Sequence, residues 1–281
     1  MDLRLDGLTV FVSGANGGIG RALAAAFAGE GARLALHAHS GYRALSEWIA
    51  GQSWRDRASA LPADATKPDE MDDVFERATA RYGRVDVVVA NAGIWPAEEL
   101  RIDQQPEERL RRTIEVNLLG SLWTARSFFK TLARTGPRPD GRGAALIFVG
   151  STAGRFGEKG HVDYAVGKAG LAGLVRTLKN EIVALDPYGR VNMVEPGWTA
   201  TEMARPTLEV PGAVARALRT TPIRQLSLPE DIARMVVFLA SPAARNVSGE
   251  IVAVDGGMEG RVQWEGDEID EERVRARLKA D

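Results

Sequence analysis

Six short apolar runs recur along the chain: "TVFVS" (9–13), "RLALH" (33–37), "VDVVVA" (85–90), "AALIFVG" (144–150), "RVNMVE" (190–195) and "EIVAVDG" (250–256). Their hydrophobicity is continuous rather than alternating, the mark of strands buried on both faces. Between them the period becomes helical. Ile232, Met235, Val236 and Leu239 fall at i, i+3, i+4 and i+7, and Val166, Ala169, Leu174, Leu178, Ile182 and Leu185 hold a similar stripe. Pro68 and Pro229 stand where helices begin, where a missing N–H costs nothing. Alternation of this kind predicts an α/β fold, a doubly wound parallel sheet with helices on both faces. Residues 1–258 show no linker, repeat or low-complexity tract and read as a single domain, with 134–143 as a polar loop before a strand. Residues 259–281 read as a charged C-terminal extension, with Glu271 and Arg275 spaced for a solvated helix. Trp264 is the expected anchor of that extension, onto the body or a neighbouring subunit.

Composition narrows the function classes. The 281 residues, 44% hydrophobic and 26% charged, are enough to bury one large core. A net charge of -2 gives no global reason to expect nucleic acid or a membrane surface as partner. With no cysteine there is neither disulfide nor thiolate chemistry, and His37, His39 and His161 are not spaced as a metal site. No apolar stretch approaches the roughly 20 residues that span a bilayer, and the polar start "MDLRLDG" does not resemble a signal peptide. A cytoplasmic protein acting on a small molecule is the expectation.

The segment "SGANGGIG" (13–20) joins the first apolar run to an alanine-rich helix. Glycines here serve either a tight strand-to-helix turn or bare backbone at a helix N-terminus, where a phosphate is received. The G-x-x-x-G-x-G spacing of Gly14, Gly18 and Gly20 does not decide between them. The end of the second run, "HAHSGYR", is more informative. Sites that take NAD place an acid on the ribose roughly 20 residues after the glycines, yet no acid occurs from Gly31 to Ser46. His39, Ser40 and Arg43 would instead accept a 2′-phosphate, which favours NADP(H) with NAD possible. Arg43 also fits the start of a solvent-facing helix, and Gly17 leaves the glycine loop without a basic side chain.

"DYAVGKAG" places Tyr164 and Lys168 at i, i+4, on one helix face. A tyrosine near its reference value of about 10 carries protons poorly at neutral pH, and an adjacent ammonium shifts such a value by about 1–3 units. The pair alone equally fits a surface phenol beside a solvated lysine. Ser151 follows the fourth apolar run, "NAG" (91–93) follows the third, and Asn117 lies mid-helix, where asparagine is a poor choice. Polar groups gathered at strand ends mark a site.

Taken together, "SGANGGIG", "DAT" (64–66), "NAG", "VNLLGS" (116–121), "VGSTAG" (149–154), "YAVGK" and "EPGWTATEM" (195–203) resemble the short-chain dehydrogenase/reductase family, from about residue 5 to 258. The resemblance implies a Rossmann-type sheet of about seven strands and a homo-dimer or homo-tetramer. It places Gly14, Asn16, Gly18, Ile19 and Gly20 on the pyrophosphate and Asp64 and Ala65 on the adenine. Asn91, Ala92 and Gly93 would take the adenosine side, and Pro196, Gly197, Thr199 and Thr201 the nicotinamide end. Tyr164 would be the general acid/base. Lys168 would hold the nicotinamide ribose and lower the tyrosine pKa, Ser151 would bond the substrate oxygen, and Asn117 would keep a water of the proton relay. Thr199, where the family has an aliphatic residue, would make the pocket more polar; Ala90 replaces an asparagine.

The implied reaction is hydride transfer between NADP(H) and a carbonyl or secondary alcohol. An NAD-dependent alcohol or sugar dehydrogenase is the alternative, and a non-catalytic cofactor-binding scaffold is opposed by intact Asn117, Ser151, Tyr164 and Lys168. Trp95, Arg155, Phe156, His161 and Trp198 are candidates to border the substrate. The two tryptophans suit either stacking on a ring or ordinary packing, and His161 reads as a partly exposed loop residue. Pro206, Pro211, Gly212 and Pro222 give residues 200–225 the composition of a mobile lid.

Overall fold

The computed structural model describes residues 2–260 and 269–279. In chain order the first half comprises β1 (Thr9–Val12), α1 (Gly18–Gly29), β2 (Arg33–Ala38), α2 (Tyr42–Ala50), β3 (Ala58–Pro62), α3 (Pro68–Tyr82) and β4 (Val87–Ala90). Next come α4 (Glu107–Ile114) and α5 (Gly120–Thr135), joined by a π-helical turn over Glu115–Leu119, then β5 (Ala145–Val149). The remainder is α6 (Thr152–Phe156), α7 (Val162–Glu181), β6 (Arg190–Pro196), α8 (Arg205–Leu208), α9 (Ala213–Leu218), α10 (Pro229–Ala240), β7 (Ile251–Val254) and α11 (Glu271–Arg277).

The strands form one seven-stranded sheet in the order β3-β2-β1-β4-β5-β6-β7, and every pairing is parallel. All six apolar runs are strands; the first five are buried on both faces, and β7, at the sheet edge, is half-buried. Val10 and Val12 enter one core with α1, α2 and α10, whereas Phe11 enters the other with α3, α5 and α7. Ala145, Ile147 and Val149 of β5 alternate with Leu146 and Phe148 in the same way. The seventh strand, β3, was not among the runs. It lies at the sheet edge, and only Ala58 and Leu61 of "ASALP" are buried, so it lacks a continuous apolar signature. The strand order reverses between β1 and β4, and the crevice at such a reversal is where ligands bind in these sheets.

Pro68 and Pro229 occupy the first turns of α3 and α10. The 134–143 loop lies at the amino ends of the strands, away from the crevice. Its Arg138 donates to Asp86 (3.0 Å), a fully buried carboxylate that also accepts from the Thr9 N–H (2.9 Å).

The charged extension departs from the solvated helix expected of it. Ile269 and Val274 are each 6% exposed and join Leu208, Val214, Leu218 and Leu226 in a third core, packed against Trp198. Glu271 accepts from the Ala215 N–H (3.0 Å) and pairs with Arg275 (3.4 Å). Thus α11 covers α8 and α9 of its own chain. Trp264, the expected anchor, lies outside the described residues.

Candidate active site

The glycine turn is built by its neighbours. The Ser13 hydroxyl oxygen accepts from the backbone N–H groups of Asn91 (2.9 Å) and Ala92 (3.0 Å), and the Asn91 side-chain amide donates to the carbonyls of Ser13 (2.9 Å) and Gly14 (3.1 Å). These bonds clip the ends of β1 and β4 together at the reversal point. Gly14 has φ +64°, and a Cβ there would lie 2.8 Å from the Ala92 Cα; a Cβ on Gly20 would run into the Gly14 carbonyl. Those two glycines serve the turn itself. At Gly17 nothing lies closer than 3.7 Å, so that position leaves open space. Gly14 and Gly20 thus serve the turn, while Gly17 leaves bare backbone beside the start of α1. No side chain caps α1 and its first turn carries no acid, which leaves its N–H groups to receive an anion.

His37 supports the same turn. Its Nδ1 accepts from the Gly14 N–H (3.3 Å) and its Nε2 donates to the Ala63 carbonyl (2.9 Å), which fixes the tautomer. Burial lowers its pKa to about 4, so the ring is neutral near pH 7.

A cleft of about 870 Å³ runs from this turn across the carboxyl ends of the central strands. Gly14, Asn16, Gly18, Ile19, Gly20, His39, Ser40, Asp64, Ala65, Asn91, Ala92, Gly93, Pro196, Gly197, Thr199 and Thr201 all line it, as do Ser151, Tyr164 and Lys168. Arg43 does not; it is exposed on α2, off the wall. Asn117 is fully buried behind the wall. The Thr199 hydroxyl donates to the Gly197 carbonyl (2.9 Å), so the polarity it adds is already partnered within the turn. Arg21, Trp48, Arg112 and Glu158 also line the cleft and carry no motif that marks them in the sequence. His39 Nε2 stands 4.0 Å from the Asp64 carboxylate, and Arg112 3.9 Å from it. Burial pushes the Asp64 carboxyl up, but the Thr66 N–H and hydroxyl, with His39 and the Arg112 guanidinium nearby, hold it below its ordinary value. Length, bare backbone at a helix N-terminus and polar ends together fit a dinucleotide.

At the far end of the cleft, Ser151 caps α6, its Oγ accepting from the Ala153 N–H (3.2 Å). Lys168 is 5% exposed; its Nζ donates to the Val149 carbonyl (2.8 Å) and stands 5.9 Å from the centre of the Tyr164 ring. Burial lowers Lys168 to about 8. Burial also raises the Tyr164 phenol, a hydrogen bond with Ser151 opposes the rise, and the Glu158 charge adds to it. The downward pull on the phenol thus comes from Ser151 rather than from Lys168. Asn117 occupies the π-helical turn, a distortion often found at functional sites, and its side-chain amide bonds the backbone of Ile94.

The substrate-side candidates divide. Trp95 meets Tyr164 edge-on with ring centres 4.6 Å apart, and Trp198 at 6.2 Å; both tryptophans line the cleft. His161 is not the exposed loop residue expected. It is 2% exposed and lies against Trp95 at 3.9 Å between ring centres, with an Arg109 guanidinium N–H 3.4 Å from its Nδ1. Arg155 pairs with Glu195 (2.7 Å), and neither Arg155 nor Phe156 reaches the wall. Among the described residues no metal-ligating group of three acids or histidines occurs, and no helix is long and apolar enough to cross a membrane.

Comparison with known proteins agrees with this geometry. Residues 14–259 match a family model described as enoyl-(acyl carrier protein) reductase. An L-rhamnose 1-dehydrogenase (NAD(P)(+)) of Sphingomonas sp. (strain SKA58) is 34% identical, the match covering 90% of this chain and 97% of that protein. The 3-oxoacyl-[acyl-carrier-protein] reductase FabG of Escherichia coli (strain K12) is 31% identical over 91% of this chain and 99% of its own. Among solved structures, a short-chain dehydrogenase/reductase, glucose/ribitol dehydrogenase, from Brucella melitensis superposes with a TM-score of 0.81 at 29% identity, covering 90% of this chain and 97% of that one.

Proposed function

This chain belongs to the short-chain dehydrogenase/reductase family, oxidoreductases that move hydride with NAD(P), and we propose that it prefers NADP(H) and uses Tyr164 as its general acid/base on a carbonyl or secondary alcohol. The observation that carries this reading is the cleft itself, with the glycine turn at one end and Ser151, Tyr164 and Lys168 at the other.

The nicotinamide cofactor, when bound, supplies or takes up the hydride. Gly17, Gly18 and Ile19 at the start of α1 would hold its pyrophosphate, His39, Ser40, Asp64 and Ala65 its adenosine end, and Lys168, Pro196, Gly197 and Thr201 its nicotinamide end. In the direction of reduction, charge grows on the carbonyl oxygen, and the hydroxyls of Ser151 and Tyr164 donate to it. Tyr164 then releases its proton to that oxygen. Its raised pKa keeps the phenol protonated near neutral pH, as an acid must be. In the reverse direction the phenolate takes the proton from the alcohol.

The aromatic faces of Trp95 and Trp198 and the Glu158 carboxyl favour a cyclic, hydroxylated substrate such as a sugar; a 3-oxoacyl thioester is the competing class. Assembly as a dimer or tetramer and a cytoplasmic location belong to the same reading. The test is to titrate the protein with NADPH and NADH in parallel, following nicotinamide fluorescence, and then assay sugars and 3-oxoacyl thioesters. Tighter NADPH binding with turnover supports the proposal; tighter NADH binding overturns the cofactor preference.

A further inference from the structure

We propose that Arg21, one helical turn behind the glycine loop, recognises the 2′-phosphate of NADP(H). The inference rests on the cofactor preference above and locates it in a residue outside "HAHSGYR".

The Arg21 N–H donates to the Gly17 carbonyl (2.9 Å), so the two residues share a face of α1. Side chains on a helix lean toward its N-terminus, and a long one covers the turn before its own Cα. From that turn the Arg21 side chain is long enough to reach the space beside Gly17, and its guanidinium lies over the Trp48 ring. The space beside Gly17 is open, since a Cβ on Gly17 would meet nothing nearer than the Gly14 carbonyl at 3.7 Å. A basic side chain missing from the glycine loop is thus replaced by one long enough to reach the same space from the next turn. Arg21, Gly17, Gly41 and Trp48 line the cleft together.

The guanidinium is held and unpaired. Its carbon lies 5.5 Å from the centre of the Trp48 ring, and Trp54 braces Trp48 edge-on at 5.4 Å between ring centres. A planar cation over an indole is preorganised at little entropic cost. Its Nε is buried with no hydrogen-bond partner. A buried N–H donor calls for an acceptor, and a phosphate ester offers several with the matching charge. The other basic groups at this end are committed or displaced. Asp64 stands within 4.0 Å of both His39 and Arg112, and Arg43 is off the wall. Among the described residues there, Arg21 is the cation without an acid beside it.

The experiment measures dissociation constants of NADPH, NADH, 2′,5′-ADP and 5′-AMP for the whole chain and for Arg21→Ala, with Arg21→Gln as a second variant that keeps the length of the side chain. The expected result is a loss of about 10- to 100-fold for NADPH and 2′,5′-ADP, the range of a charge-assisted hydrogen bond. Affinity for NADH and 5′-AMP stays unchanged, which also certifies the fold. If the unaltered chain prefers NADPH and the variants keep that preference, the role of Arg21 is overturned while the cofactor preference stands on His39 and Ser40. Equal loss for all four ligands makes Arg21 a structural residue and overturns it too. If the unaltered chain binds NADH more tightly, the cofactor preference fails and Arg21's role falls with it.

Discussion

Asn117 and Ile94 hold each other by a matched pair of hydrogen bonds: the amide Oδ1 accepts from the Ile94 N–H (2.8 Å) and the Nδ2 donates to the Ile94 carbonyl (2.9 Å). The side chain thus stands where a neighbouring strand would, just past the end of β4. It ties the π-helical turn to the segment that carries Trp95, which in turn packs against Tyr164. Gly93 completes the junction, since a Cβ there would lie 3.0 Å from Asn117 Oδ1 and 3.4 Å from Lys168 Nζ. Asn117→Ala should cost about 1–3 kcal/mol of stability, from backbone groups left without partners. It should also lower kcat about 10- to 100-fold, because small misplacements of reacting groups are costly. Urea denaturation and steady-state kinetics on the same variant check both; stability and kcat that both stay at their starting values would refute the latch.

Tyr164→Phe removes the transferable proton while keeping the ring that meets Trp95. A drop of about 10²- to 10⁴-fold in kcat is expected, with NADPH affinity unchanged. Ser151→Ala removes one donor to the carbonyl oxygen and should cost about 10²-fold. It should also raise the phenol pKa further, because Ser151 is the group that holds it down. The pH profile of alcohol oxidation, which needs the phenolate, should then shift toward higher pH in the Ser151 variant. A profile unmoved by that change would place the control of Tyr164 elsewhere.

His37 links the glycine turn to pH. Burial lowers its folded pKa to about 4, whereas the unfolded chain titrates near the ordinary value of 6.5. Between those values the unfolded state binds more protons, so stability falls as pH drops from about 6.5 to 4, by about 3 kcal/mol in all. Protonation of Nδ1 in the folded protein also cancels the bond from the Gly14 N–H, so cofactor affinity should fall only as pH approaches the folded value of about 4. A His37→Asn variant should lose this component of the pH dependence. Chemical denaturation at several pH values, for both forms, gives the slopes; equal slopes would rule His37 out.

The parts of the site legible in the sequence are those whose chemistry lies in the side chain itself. Ser151, Tyr164 and Lys168 show as polar groups after buried strands, and the glycines show as an entropic expense that needs a reason. Ser13 and His37 act by bonding the backbone of a distant strand end, at Asn91 and at Ala63, and nothing local marks them. Arg21 reads as an ordinary helix residue because the ring it lies over, Trp48, comes from another helix. His161 escaped because its partner, Trp95, comes from the end of another strand. The edge strand β3 escaped for the converse reason, having too little burial to produce a pattern.

The tail illustrates a charged sequence with a buried purpose. Its composition is that of a solvated helix, yet Ile269 and Val274 alternate inward to cover Leu208, Val214 and Leu218. Those residues lie in and beside α8 and α9, in the segment after Trp198 that closes one side of the cleft. Arg275 Nη2 donates to the Leu208 carbonyl (3.5 Å), and Arg277 bonds Gln225, so the contact has polar ties at its rim. Burying two such aliphatic side chains contributes about 3–6 kcal/mol, an upper figure that assumes full exposure without them. Removing residues 261–281 should therefore loosen the 200–225 segment while leaving the glycine turn intact. KM for the substrate should rise and proteolysis within 200–225 should accelerate, with NADPH affinity unchanged. Val274→Asp, which buries a charge in the same contact, should reproduce the effect without shortening the chain. If both variants keep the parental KM and cleavage pattern, the lid is held by its own helices and the tail is no part of the site.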